Sequence, residues 1–175
     1  LTETYDTENA GTGKTLSVAT YTINDSNSGN NYTVTTADDK TGIIKQANAL
    51  ITVTPYDVTY NALAHTATGT AKGVLGEDLA GLDLTGTTHT NADAYTDTWT
   101  FTDSTGNYTY ASNTVSDNIA KAALTITAQT NTKTYDADVT AVTLPIATGM
   151  QGTDSVTDLT ETYDTENAGT GKTLS

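Results

Sequence analysis

The first seventeen residues of the chain occur again, without a change, at its end. LTETYDTENAGTGKTLS occupies residues 1–17 and residues 159–175, so the two copies lie 158 residues apart. Repetition over such a distance is typical of tandem arrays, whose units pack against copies of themselves. The sequence therefore predicts slightly more than one period of an array, with both ends cutting through folding modules.

A weaker repeat lies inside this period. Short motifs recur at a spacing of 74 to 76 residues, with the joint after each Ile-x-Lys: 31–33 with 107–109, 43–45 with 119–121, 49–53 with 123–127, and 59–62 with 134–137. This spacing predicts three pieces. Residues 1–47 are the C-terminal part of one module, residues 48–122 are a complete module, and residues 123–175 begin the next. No flexible linker separates them, as expected of rod-like arrays.

The residue types favour β-structure throughout. About a quarter of the residues are threonine, far above average usage, and threonine fits a pleated, half-buried surface. Tyr95, Trp99 and Phe101 alternate with threonines, which predicts a strand with its aromatic residues on a buried face. Short apolar runs between glycine and asparagine turns predict an all-β fold of sandwich-type modules.

Two further stretches carry local predictions. Val142, Leu144 and Ile146 alternate, and Pro145 among them indicates an edge strand. The segment 73–84 (GVLGEDLAGLDL) predicts one helical or 3₁₀ turn.

Charge excludes several kinds of partner. The formal net charge is −14, every basic residue is lysine, and cysteine is absent. Nucleic acids and anionic membranes both require clustered basic residues, so neither is an expected partner. Disulfides and thiol chemistry are excluded. No stretch is apolar enough to span a bilayer and no signal peptide is present, as expected of a piece from within a longer secreted chain.

Several motifs resemble the MBG and YDG repeat modules of giant bacterial surface adhesins. The YDG pattern is similar to Lys133–Asp136, Gly152–Val156, Asn167–Thr173 and Asn31–Thr33, and the MBG pattern, which is Ig-like, is similar to His65–Gly69, Gly76–Leu79, Trp99–Phe101 and Gly106–Tyr108. The resemblance implies tandem Ig-like β-sandwich modules in a rod: 1–47 and 123–175 YDG-like, 48–122 MBG-like. It implies a stalk or spacer and no catalytic residues.

The sequence departs from the resembled pattern at two turns. Ala137 follows Tyr-Asp where the family has glycine, and Asn61-Ala62 stands in place of Asp-Gly. Alanine is less suited than glycine to positive φ, which predicts an altered turn at both places.

No residue is assigned to catalysis, to a cofactor or to a metal. His65 and His89, the only histidines, could in principle join Ser and Asp in a catalytic triad or hold zinc, but the pattern of a surface module favours neither. Calcium remains an alternative because the chain is rich in carboxylates. The candidate ligands are Asp38, Asp39, Glu77, Asp78, Asp103 and Asp117.

Sugar stacking and intramolecular crosslinks are less favoured by the sequence. Trp99 with Tyr95 and Phe101 could stack on a sugar, although a lone Trp in an alternating strand is more often part of a core. Lys14, Lys45 and Lys121 could form crosslinks, but nothing in the sequence selects their partners.

The sequence as a whole predicts a structural stalk repeat of a secreted or cell-surface bacterial adhesin, without enzymatic activity. The expected partners are adjacent copies of the repeat, head to tail, with self-association through open strand edges. Two further hypotheses stay open: a subunit of an extracellular filament assembled by strand complementation, and a module that binds a glycan or a protein.

Overall fold

The computed structural model describes residues 1–175 and contains eleven β-strands and one 3₁₀ turn, Thr85–Thr87. The strands are β1 (Thr2–Tyr5), β2 (Gly11–Thr20), β3 (Asp39–Ile44), β4 (Leu50–Thr54), β5 (Asp57–Thr59), β6 (Thr68–Lys72), β7 (Leu82–Asp83), β8 (Ala94–Phe101), β9 (Ala111–Ala120), β10 (Thr125–Thr127) and β11 (Ile146–Thr148). The prediction of an all-β chain is confirmed.

The strands form four sheets. Their orders are β1-β2-β3, β4-β6, β5-β9-β8-β7 and β10-β11. Neighbouring strands are antiparallel in the pairs β1–β2, β2–β3, β4–β6, β7–β8 and β10–β11, whereas β5 runs parallel to β9. No helix in the structure has both the length and the hydropathy that crossing a bilayer requires.

The chain divides into two compact units. Unit 1 comprises Leu1–Thr54, Thr68–Gly86 and Asp97–Val115, and unit 2 comprises Pro55–Ala67, Thr87–Thr96 and Ser116–Ser175. The predicted module boundary at residue 47 lies inside unit 1, and the one at residue 122 lies inside unit 2. These boundaries stay a prediction.

The core of unit 1 is built around Phe101, which is fully buried, and Ala71 and Tyr108 are buried beside it. Trp99, two residues earlier on β8, packs against this cluster, and so does Ile51 of β4. The alternating pattern of β8 therefore produces the buried aromatic face that the sequence predicts, and Trp99 belongs to the core.

The repeated seventeen residues form the same hairpin twice. In unit 1, Tyr5 pairs with Leu16 and the amide of Asp6 donates to the Thr15 carbonyl at 2.9 Å. In unit 2, Tyr163 pairs with Leu174 and the amide of Asp164 donates to the Thr173 carbonyl at 2.9 Å. In both copies the lysine ammonium, Lys14 or Lys172, donates to the hydroxyl of the threonine seven residues earlier. The register thus follows from the local sequence.

Two local predictions differ from the structure. In the run 142–146 only Ile146 enters a strand, and Val142 is 81% exposed. Pro145 therefore lies just before β11, where a residue without an amide donor can precede a strand. In the segment 73–84 a tight turn closes through the amide of Gly76 and the Gly73 carbonyl, and the 3₁₀ turn begins only at Thr85.

The turns at the two alanines keep a left-handed backbone. Ala62 has φ of 62° and Ala137 has φ of 61°, so the expectation of an altered turn is wrong. A neighbouring carboxamide or carboxylate supports each turn, because Asn61 Oδ1 accepts from the Leu63 amide and Asp136 Oδ1 accepts from the Asp138 amide. These Asx turns hold a conformation that alanine alone disfavours.

Replacing Ala137 with glycine should stabilise unit 2. The substitution relieves the left-handed strain at an exposed position, and the gain after the entropic cost of glycine is about 0.5–1 kcal/mol. Urea unfolding followed by far-UV circular dichroism measures it. The matched control is Ala141→Gly, at a buried position without positive φ, which should destabilise. Equal effects of the two substitutions would contradict the strain argument.

Candidate inter-repeat interface

The two histidines lie opposite each other but not in a catalytic arrangement. Their backbones exchange hydrogen bonds of 2.9 and 3.0 Å. His65 Nε2 lies 2.9 Å from Asn61 Oδ1, and the ring of His89 stacks on Tyr95 with centroids 3.6 Å apart. The partner of the His65 ring is thus an amide that also supports the turn at Ala62. The absence of enzymatic activity stays a prediction.

The six candidate calcium ligands are dispersed, and no group of three or more His, Asp or Glu side chains is placed to hold a metal ion. Asp39 Oδ1 accepts from both the amide and the hydroxyl of Thr41, each at 2.7 Å. Glu77 accepts from the Tyr108 hydroxyl at 2.5 Å, and Asp78 forms an ion pair with Lys72 at 2.6 Å. These three carboxylates already have protein donors.

Four aspartates form the same Asp-x-Thr turn. In each case the aspartate accepts from the amide and from the hydroxyl of the threonine two residues later: Asp39 and Thr41, Asp83 and Thr85, Asp103 and Thr105, Asp138 and Thr140. The hydrogen bonds favour the ionised carboxylate. The pKa values of Asp39 and Asp83 are lowered chiefly by the threonine hydroxyl, and that of Asp138 chiefly by the Thr140 amide.

Asp103 organises the loop between β8 and β9. Its carboxylate accepts from the Thr105 hydroxyl at 2.7 Å and from the amides of Thr105, Asn107 and Tyr108 at 3.1, 2.8 and 2.9 Å. The Thr105 hydroxyl is the main cause that lowers the pKa of Asp103 to about 2, and the amides lower it further. The ionised carboxylate therefore fixes the position of Asn107.

Asn107 connects this loop to residues of the preceding predicted module, all within unit 1. Its carbonyl accepts from the Ala47 amide at 2.9 Å, and its Oδ1 accepts from the Ala10 amide at 2.8 Å. The Thr109 amide returns a bond to the Ala47 carbonyl at 2.9 Å. Backbone hydrogen bonds thus connect the two sides of the predicted joint, and no flexible linker lies between them.

Residues on the two sides of the second predicted joint also contact each other, within unit 2. The Tyr60 hydroxyl donates to Asp154 Oδ2 at 2.9 Å, which raises the pKa of Tyr60. Gly152 has φ of 56°, and a Cβ placed there would lie 2.6 Å from the Cβ of Ala62. Glycine is therefore required both by the backbone conformation and by the close approach of Ala62.

A buried carboxylate holds the chain just beyond β4, and another holds it just beyond β10. Asp117 is 2% exposed and accepts from the Tyr56 amide, two residues after β4, at 2.9 Å. Glu161 is 1% exposed, and both of its oxygens lie 3.0 Å from the Gln129 amide, two residues after β10. In both places a buried carboxylate accepts from the amide of the second residue after a strand.

The first copy of this glutamate is exposed. Glu3 is the counterpart of Glu161, but every residue of β1 is exposed and β1 pairs only with β2. In unit 2 the corresponding edge is occupied, because the Tyr163 amide donates to the Val139 carbonyl and the Ala141 amide donates to the Glu161 carbonyl. The edge of β1 lacks these neighbours.

Searches against family models, curated proteins and solved structures found no match to this chain.

Sequence reasoning identified Asp103 and Asp117, but as calcium candidates, and it did not identify Glu161 or Asn107 as structural anchors. Glu161 belongs to the seventeen-residue repeat, but its copy Glu3 is exposed, so the repeat by itself gave no signal for its role. Asn107 belongs to the motif Gly106–Tyr108, which resembles the MBG pattern and was not interpreted as a contact site.

Lowering the pH should release Asn107 only near pH 2. The pKa of Asp103 lies below its ordinary value of 3.8, so its stabilising contribution is complete above about pH 4 and is lost as the pH falls through about 2. The Asn107 and Tyr108 amide resonances should titrate with a midpoint near pH 2 in NMR spectra. Asp103→Asn should abolish this titration.

The matched control is Asp83→Asn, which removes the same Asp-x-Thr pairing from a turn that does not contact Asn107. It should leave the two amide titrations unchanged. A midpoint near pH 4 in the unsubstituted chain would show that Asp103 does not hold the loop.

Proposed function

We propose that this chain is a segment of a structural stalk from an extracellular, bacterial cell-surface adhesin, built from tandem Ig-like β-sandwich modules. Its work is mechanical and involves no catalysis. The single observation that carries the proposal is the seventeen-residue repeat, whose two copies adopt one hairpin with one register. The resemblance of its motifs to MBG and YDG modules supports the same function.

The contacts at the predicted joints support a spacer that resists bending. At the first joint, Ala47 exchanges backbone hydrogen bonds with Asn107 and Thr109. Backbone pairing restrains orientation far more than a flexible linker does, since a linker leaves neighbouring modules free to reorient. A stalk needs this restraint at every joint.

The surface charge supports an array of identical neighbours that stay soluble. The net charge of −14 makes separate copies repel one another over about 8 Å in physiological salt. The pKa values of Asp39, Asp83 and Asp103 are lowered, chiefly by threonine hydroxyls, so these three carboxylates stay ionised to lower pH than free aspartate does.

The scattering of concatenated chains tests the stalk. Chains of one, two and three 158-residue periods should increase in maximum dimension linearly, by about 70–90 Å per period if each module adds about 35–45 Å. Small-angle X-ray scattering measures this dimension. Growth with the cube root of chain length would indicate collapse into one globule and would refute the proposal.

A joint variant tests the restraint at the first joint. Thr109→Pro removes the amide that donates to the Ala47 carbonyl and should shorten the three-period chain without changing its β-content by circular dichroism. The matched control is Thr143→Pro, at an exposed threonine outside any strand, which should leave the maximum dimension unchanged. Equal shortening by both substitutions would show that the joint contact does not stiffen the chain.

A further inference from the structure

We propose that His65 and His89 together bind a divalent transition-metal ion of the Cu²⁺, Ni²⁺ and Zn²⁺ class. They are the only histidines of the chain, and the fold places them opposite each other. Both lie in unit 2, and both belong to the predicted complete module 48–122. The inference does not depend on the stalk function, since it follows from the geometry of this pair.

The backbone pairing of the two histidines brings their side chains together. The amide of each residue donates to the carbonyl of the other, at 2.9 and 3.0 Å, in an antiparallel bridge. Residues paired in this way have their side chains on the same face, with Cβ atoms about 4.5–5.5 Å apart. One ion bonded to a nitrogen of each ring, at about 2.0–2.1 Å, spans that separation.

Asn61 determines which nitrogen of His65 is available to a metal ion. Its Oδ1 accepts from the Leu63 amide at 3.0 Å and lies 2.9 Å from His65 Nε2. Because a carboxamide oxygen only accepts hydrogen bonds, Nε2 carries the ring proton, and Nδ1 of the neutral ring keeps its lone pair. Metal-binding histidines almost always donate their second nitrogen to such an acceptor, which fixes the ring and raises its basicity.

Two tyrosine rings restrict the orientation of the imidazoles. The His89 ring stacks on Tyr95, with centroids 3.6 Å apart and planes 1° from parallel, and the centroid of the Tyr56 ring lies 5.8 Å from that of His65. Both tyrosine hydroxyls donate to backbone carbonyls, at 2.8 and 3.3 Å. Imidazoles that are already held in place lose less conformational freedom when an ion binds.

The chemistry of the two donors selects the class of ion. Imidazole nitrogen suits Cu²⁺, Ni²⁺ and Zn²⁺, whereas Ca²⁺ and Mg²⁺ prefer oxygen ligands. No third His, Asp or Glu side chain completes a group with the two rings, so water would fill the remaining coordination positions. Binding should therefore be weaker than at a structural zinc site with four protein ligands, and Cu²⁺ should bind more tightly than Ni²⁺ or Zn²⁺.

Calorimetric titration of the full, untagged chain with Cu²⁺ tests the site. The net charge of −14 attracts any cation to the carboxylates, so the titration is performed in excess Ca²⁺, which competes for oxygen ligands but not for imidazole. A single Cu²⁺ should bind per chain, and His65→Gln and His89→Gln should each weaken binding by at least about tenfold. Unchanged affinity in either variant would indicate an adventitious ion only and would overturn the proposal.

A substitution at Asn61 tests coordination through Nδ1 of His65. Asn61→Asp keeps an acceptor opposite Nε2 and gives it a negative charge, which should tighten Cu²⁺ binding by about tenfold because the ring becomes more basic. The matched control is Asn167→Asp, which adds the same charge at an exposed residue of the second hairpin and should leave the affinity unchanged. Equal tightening by both substitutions would assign the effect to net charge and would refute this coordination.

Pulsed electron paramagnetic resonance of the Cu²⁺-loaded chain gives a result that requires no substitution. The method counts the imidazoles bound to Cu²⁺ through the nitrogen of each ring that does not touch the ion. The unsubstituted chain should show two bound imidazoles. A spectrum with one imidazole or none would overturn the proposal, whatever the variants show.

Discussion

The structure depends on carboxylates that accept hydrogen bonds from backbone amides in regions where few apolar residues are buried. Only seven hydrophobic residues are buried in the whole chain, and three of them are alanine. A core of this size does not by itself determine where the chain goes after its first strand. Asp117 and Glu161 do so, because each buried carboxylate needs a hydrogen-bond donor and accepts from the amide of the second residue after a strand. Each carboxylate makes one path of the backbone much more favourable than the others.

The same chemistry accounts for the high content of aspartate and threonine. In the Asp-x-Thr turn one carboxylate accepts hydrogen bonds from the amide and the hydroxyl of the threonine. These bonds close the turn without glycine. At Ala137 an Asx turn from Asp136 holds even a left-handed backbone. Asp39, Glu77, Asp103 and Asp117, which the sequence offers as calcium ligands, accept hydrogen bonds from within the chain.

The sequence predicted what depends on local periodicity. The strand at Tyr95–Phe101 and its buried face follow from alternation, whereas the hairpin that the seventeen-residue repeat forms twice was not predicted. The prediction of a strand over residues 142–146 was wrong before Ile146, because alternation does not show whether a partner strand is available. Val142 remains exposed. The role of Asn107 depends on contacts with Ala10 and Ala47, far away in sequence, which no local pattern encodes. The exposed Glu3 and buried Glu161 show the same limit, since identical residues differ only in what pairs with their strand.

Identity between the two hairpins has a physical consequence that similarity would not have. Because the two copies have one sequence and one register, the burial of Glu161 and the exposure of Glu3 do not arise from the hairpin itself. The difference arises from Val139 and Ala141, whose backbones form hydrogen bonds with Tyr163 and Glu161. The net charge of −14 opposes contact between separate copies, whereas segments of one chain are held close together by their covalent connection. An exact repeat with an acidic surface thus favours pairing along a chain over pairing between chains.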